Sequence, residues 1–92
     1  MSNFRTEFPD FDPATMPAIP SEWTDTSWRE EPCPSFEAQE NITVFVDYED
    51  PMDREMQDAY PRFLIQVYDA EGNALSEFNT DDWDKILDYF KA

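Results

Sequence analysis

Apolar and polar positions alternate in short runs along the second third of the chain. In ITVFVDY, residues 42–48, Ile42, Val44, Val46 and Tyr48 fall on one side and Thr43, Phe45 and Asp47 on the other, the two-residue period of a strand. RFLIQVYDA, residues 62–70, repeats the pattern, with Phe63, Ile65 and Val67 opposed to Leu64, Gln66 and Tyr68. Both faces of this pair carry apolar groups. Ser35 to Gln39 is placed to fold back on the first strand across Glu40-Asn41, and Ala74 to Phe78 on the second across Glu71-Gly72-Asn73. Gly72 is the only glycine, at a turn that calls for a positive φ. The pattern predicts a three- to four-stranded antiparallel meander over residues 35–79.

The period changes after residue 79. Trp83, Ile86, Leu87 and Phe90 recur at i, i+3, i+4 and i+7, an apolar stripe assigned to the core. Thr80 is the expected N-cap, Asp81 and Asp82 suit the positive end of the helix dipole, and Lys91 falls in the last turn. This predicts one helix over 80–91, packed on a sheet face. Asp50-Pro51 opens a helical turn or two in the connection before Pro61, with Met52 and Met56 on one side.

The first 34 residues follow neither period. They hold six of the eight prolines, as FPDFDPATMPAIP and EEPCPSF, interleaved with Phe4, Phe8, Phe11, Met16, Ile19, Trp23 and Trp28. An irregular segment this apolar must lie against something. With one helix for one sheet face, it is expected to wrap the domain and cover the other, the alternative being a docking arm for a partner. The expected class is α+β, a single domain over 1–92 with an irregular wrapping segment, a meander and a helix.

Charge changes the picture more than composition does. The 92-residue chain carries 22 Asp and Glu against 6 Lys and Arg, a net charge of −16. Sixteen per cent aromatic residues separate it from acidic disordered tails, which lack the means to collapse. Phosphate and anionic membranes are neutralised by Lys and Arg, so direct contact with nucleic acid or a membrane surface is excluded and the partner is expected to be basic. The N-terminus shows no signal pattern, no apolar run reaches membrane-spanning length, and a lone Cys33 builds no disulfide framework; a cytoplasmic location is the expectation.

Catalytic chemistry finds little to work with. The chain has no histidine, which removes imidazole bases and metal ligands, and Cys33 sits between two prolines beside Glu30 and Glu31, a setting that disfavours a thiolate. Asp69-Ala70-Glu71-Gly72-Asn73 departs from a calcium loop because glycine comes too early and no closing glutamate follows. No enzyme activity, cofactor or metal is expected.

The acids are unevenly spread, with net −5 over residues 1–34, −7 over 35–61 and −4 over 62–92. Asp47, Glu49, Asp50, Asp53, Glu55 and Asp58 crowd the end of one strand and its following loop, with Arg54 as the only base among them. Glu30, Glu31, Glu37 and Glu40 join this group if the preceding strand lies alongside. On a strand, i and i+2 lie about 6.6 Å apart on one face, and i and i+4 on a helix about 6 Å apart, the order of neighbouring phosphates. Asp47 with Glu49, and Asp84 with Asp88, have those spacings. The eight carboxylates are the candidate partner-binding residues, each standing in for a phosphate oxygen in a Lys- and Arg-lined channel.

Small size, extreme acidity and the acidic stretches YEDPMDRE and TDDWDKILD together resemble the small phage-encoded anti-CRISPR and anti-restriction DNA mimics. The resemblance implies a non-enzymatic inhibitor that binds the basic nucleic-acid channel of a CRISPR surveillance complex or nuclease and blocks target DNA. Two alternatives stand beside it: an immunity-type inhibitor of a basic toxin or nuclease that uses aromatic anchors, and a plain acidic accessory domain.

Overall fold

The computed structural model describes residues 3–54 and 61–90. Its centre is a five-stranded antiparallel meander in sequence order: β1 (Thr24–Asp25), β2 (Ser35–Gln39), β3 (Ile42–Val46), β4 (Phe63–Tyr68) and β5 (Ala74–Thr80). One C-terminal helix, α2 (Trp83–Tyr89), follows, and a single helical turn, α1 (Phe4–Glu7), precedes the sheet. The architecture is therefore α+β.

Two positive-φ residues set the hairpins. Asn41 at φ 66° closes the two-residue loop between β2 and β3, and Gly72 at φ 87° closes the β4–β5 loop, where Gly72 N donates to Asp69 O at 3.0 Å. Register then follows the hydrophobic alternation. Phe36, Val44, Ile65 and Phe78 stand in one cross-strand row, and Val46, Phe63 and Thr80 in the next. Directly opposed residues point to the same side of the sheet, so these rows define the core face.

The sheet has five strands where three or four were expected. The extra one, β1, places Thr24 against Glu37 and Asp25 against Phe36. Two residues are too few to show a period, and tertiary hydrogen bonds fix β1 instead. Asp25 accepts from Phe4 N at 2.9 Å and Ser27 N at 3.0 Å, and buried Ser27 accepts from Ser35 N at 3.1 Å. The N-terminal third is likewise less irregular than expected. In α1, Asn3 accepts from Arg5 N and Thr6 N while Thr6 caps in return, and Asp12 caps a 3-10 turn at Pro13–Thr15.

A larger correction concerns what covers the sheet. The N-terminal segment does not lie on the face opposite the helix; both pack on the same one. Phe8, Phe11, Phe36, Val44, Val46, Phe63, Ile65 and Ile86 form one buried cluster, with Phe4, Met16, Ile19, Trp23, Trp83 and Phe90 packed against it. Trp23 meets Trp83 at 5.9 Å and Phe90 at 5.2 Å, and Trp83 meets Phe63 at 5.0 Å, all edge to face. A seven-residue helix is too narrow to roof five strands, and the aromatic segment completes the same layer. The opposite face carries the row Thr24, Glu37, Thr43, Gln66 and Glu77 beside partly buried Phe45 and Leu64.

Helix α2 starts later than expected. β5 continues through Thr80, whose hydroxyl accepts from Asp82 N at 3.1 Å, and Asp82 is the N-cap, accepting from Asp84 N at 3.0 Å. Asp has the geometry for that cap as well as Thr does, and the hydrogen bonds of β5 hold Thr80 in the sheet. Ile86 is fully buried and Leu87 only partly so. The turn opened by Asp50 forms at Pro51–Asp53; Met56 and Lys91 lie outside the described residues. Cys33 is buried at the approach to β2.

A tie between distant segments carries a pH signature. Glu7 Oε1 accepts from both N and Nε of Arg29, at 3.2 and 3.3 Å, joining α1 to the stretch before β2. The Arg29 hydrogen bond holds the Glu7 carboxyl below the usual glutamate value, against the opposing effect of burial. A carboxyl depressed in the folded state stabilises it above the unfolded pKa and loses that contribution as pH falls through the folded one. Glu7→Gln is therefore expected to weaken the protein at neutral pH and to flatten its response below about pH 4, read as urea midpoints across the acid range.

Candidate functional site

The meander brings the end of β3, the start of β4 and the end of β5 to one pole of the sheet. There the strands give way to acidic residues, and Arg62, next to the first residue of β4, ties their backbones together. Its main-chain O accepts from Asp47 N at 3.0 Å, and its N donates to Asp81 Oδ1 at 2.8 Å. Its guanidinium donates from Nε to Asp47 O at 2.9 Å and from Nη2 to Thr15 O at 2.8 Å, and it lies over the Phe63 ring at 5.1 Å. Desolvation lowers its pKa, the nearby Glu49 charge opposes that shift, and a guanidinium so placed stays charged.

Arg54 braces the neighbouring loop. Its side chain is buried, and it donates from Nε to Tyr48 O at 2.7 Å and from Nη2 to Glu49 O at 3.1 Å. Asp50 accepts from Met52 N at 2.9 Å, and Asp53 N donates to Asp50 O at 3.0 Å. The loop thus has fixed geometry while Glu49, Asp50 and Asp53 remain exposed. Tyr48 packs on Phe11 at 5.2 Å and, with Asp10 and Asp53, lines an open depression. Burial first, then the charges of Asp10, Asp47 and Asp53, push its phenol above the ordinary value, so these groups share one field.

Of the sequence candidates, Asp47, Glu49, Asp50 and Asp53 are brought together here, and Asp84 stands close by in the first turn of α2. Asp88 lies one turn further along the helix, about 6 Å up the axis. The i, i+4 spacing of Asp84 and Asp88 is kept, whereas Asp47 and Glu49 do not follow a strand repeat, because β3 ends at Val46 and its alternation stops with it. Glu55 and Asp58 lie outside the described residues. Glu37 projects from the open face and Glu40 sits in the β2–β3 turn at the far end of the sheet; Glu31 acts on Tyr68, also at that end. These three do not join the pole.

Asp10, Asp81 and Asp82 belong to it and were not among the candidates. The signal for the last two was present: an antiparallel β4–β5 pair must return the end of β5 to the start of β4, carrying TDD with it. Asp10 is brought by the N-terminal segment, whose course has no periodicity to read.

Among the described residues, the one side-chain ion pair is Arg29–Glu7, away from this pole. Both arginines at the pole address backbone carbonyls instead. No group of three potential metal-ligating side chains converges among the described residues, and no helix there is long and apolar enough to cross a membrane. Compared with protein-family models, curated proteins and solved structures, the chain matches none.

Two measurements follow from this geometry. Arg62→Lys keeps the charge, but one ammonium does not reproduce the fork that reaches both Asp47 O and Thr15 O, and a loss of about 1 to 3 kcal/mol is expected in urea unfolding. Raising salt from about 0.02 to about 0.5 M is expected to raise the melting temperature by roughly 4 to 8 °C, because screening relieves repulsion that few opposite charges balance. A falling melting temperature in circular dichroism would contradict that electrostatic picture.

Proposed function

We propose that this protein is a non-enzymatic acidic inhibitor that occupies the basic nucleic-acid-binding surface of a bacterial defence complex, a CRISPR effector or a restriction nuclease, and excludes target DNA by imitating its phosphates. One observation carries this reading: Asp10, Asp47, Glu49, Asp50, Asp53, Asp81, Asp82 and Asp84 gather at one pole whose two arginines hold backbone carbonyls. Carboxylates on a braced frame reach a basic channel already arranged, so little ordering entropy opposes binding. Their summed field steers the approach and accelerates association with a cationic surface. The action belongs in the cytoplasm of the host cell, where such complexes meet DNA.

An inhibitor built on aromatic anchors is supported less well. Phe8 and Phe11 are core residues and Phe4 and Trp23 pack against the core, which leaves Trp28, 46% exposed, as the aromatic of the N-terminal third most open to a partner.

The test neutralises carboxylates that accept no hydrogen bond within the described fold, combining Asp10→Asn, Glu49→Gln, Asp53→Asn and Asp84→Asn while leaving Asp47, Asp50, Asp81 and Asp82 in their structural roles. Inhibition of target-duplex cleavage by purified CRISPR effectors and restriction nucleases is expected to fall by about a hundredfold or more in this variant, at an unchanged melting temperature or a higher one. The parent protein is expected to lose affinity steeply between about 0.1 and 0.5 M salt. Undiminished inhibition by the variant sinks the DNA-mimic reading, and no inhibition by the parent across such a panel leaves the acidic accessory domain in its place.

A further inference from the structure

The two edges of the sheet are finished differently. β1 is two residues long, and an edge that short offers little to pair with. β5 is seven residues long, pairs with β4 alone and is the terminal strand of the sheet, with Ala74 to Asn79 exposed. Its sequence, ALSEFNT, contains no proline, lysine or arginine, the residues that usually protect such an edge. Along its outer side, alternate backbone N–H and C=O groups face away from β4, and no described strand pairs with them.

The side chains beside this edge are also unfinished. Phe78 lies in the core-face row with Ile65, yet is 39% exposed, and it stacks on Tyr89 of α2 at 6.1 Å and 21° with Tyr89 45% exposed. The core layer thus continues to the edge and stops there. On the other face Glu77, opposite Gln66, is exposed. Glu71 lies in the turn before the strand, Asp81 and Asp82 follow its last residue, and exposed Asp84, Lys85 and Asp88 belong to the helix after it. A second copy would bring a net charge of −16 against another −16, so charge selects a cationic occupant.

We infer that the free edge of β5 receives an extended basic segment of a partner protein as a sixth strand, with apolar residues of that segment on Phe78 and Tyr89 and alternating Lys or Arg on the side of Glu77. Main-chain hydrogen bonds supply the affinity, and the two-residue alternation supplies the selectivity. This edge adjoins the acidic pole at Asp81 and Asp82, but its free strand hydrogen-bonding groups do not rest on the role proposed for the pole.

The experiment titrates the full isotope-labelled chain with a blocked peptide of about eight residues that alternates Val and Lys, and with the same peptide N-methylated at every peptide bond. Charge is identical in the two, while strand donors are present only in the first. The unmethylated peptide is expected to shift the resonances of Ala74–Thr80 and slow exchange of alternate amides there by about tenfold or more, and the methylated one to bind at least about tenfold more weakly. Phe78→Ser is expected to weaken the unmethylated peptide to a similar degree; should that variant fail to fold, the comparison of the two peptides on the parent chain decides alone. Equal binding of both peptides overturns the inference, as do shifts confined to the pole around Asp10 and Asp53. Concentration-dependent sedimentation with β5 amides already protected in the free protein also overturns it, because the occupant is then a second copy.

Discussion

Arg62 is the fixed point on which the acidic pole depends. Through one residue, the exit of β3, the entry of β4, the approach to α2 and the N-terminal segment at Thr15 are joined by hydrogen bonds of 2.8 to 3.0 Å. A guanidinium suits this position because its donors diverge in a plane and its charge survives partial burial. The same charge sits within the field of Glu49 and offsets part of the repulsion among the surrounding carboxylates without binding them. Repulsion alone would spread these segments apart; the backbone carbonyls at Asp47 and Thr15 keep them in register. Arg54 repeats the device on the loop from Tyr48 to Asp53.

Among the described residues, the core behind the pole lies on one side of the sheet. A single layer of aromatic and aliphatic groups lies over the strands, the larger part of it from the N-terminal segment and the rest from α2 and its C-cap, and the two meet at the Trp23, Trp83 and Phe90 rings. A small domain buries a modest fraction of its surface, so each large side chain in that layer matters. The indole N–H of Trp83 is buried there without a hydrogen-bond acceptor among the described residues, a cost of about 1 to 3 kcal/mol that ring packing must exceed. The opposite face is left to Thr43, Gln66 and Glu77, where Tyr68 donates to Gln66 and Gln66 donates to Glu77.

Much of this was legible where side-chain period and tertiary environment agree. Val44, Val46 and Ile65 alternate in sequence and are buried in fact, Gly72 turns where a positive φ is needed, and Ile86 faces inward from the predicted stripe. Legibility failed where a residue's place depends on distant partners. Thr24–Asp25 becomes a strand through hydrogen bonds from Phe4 and Ser27 to Asp25, with Ser27 in turn bonded to Ser35, and Thr80 stays in β5 because the β4 ladder outcompetes its capping preference. The run from Asp47 to Asp53 was visible as a local density of charge. Its extension to Asp81 and Asp82 follows from the β4–β5 hairpin, whereas Asp10 required the three-dimensional course of the chain, as did the direction of Arg54 and Arg62 toward carbonyls.

Cys33, buried between Pro32 and Pro34 at the entrance to β2, has a consequence for how the fold opens. It is the sole thiol of the chain and is buried, so a thiol-modifying reagent meets a single site, and meets it only when the structure around it opens. Modification kinetics at that sulfur then register an opening event with one reacting atom and no introduced label. When reclosure is fast the rate reflects the population of the open form, and when it is slow the rate of opening itself.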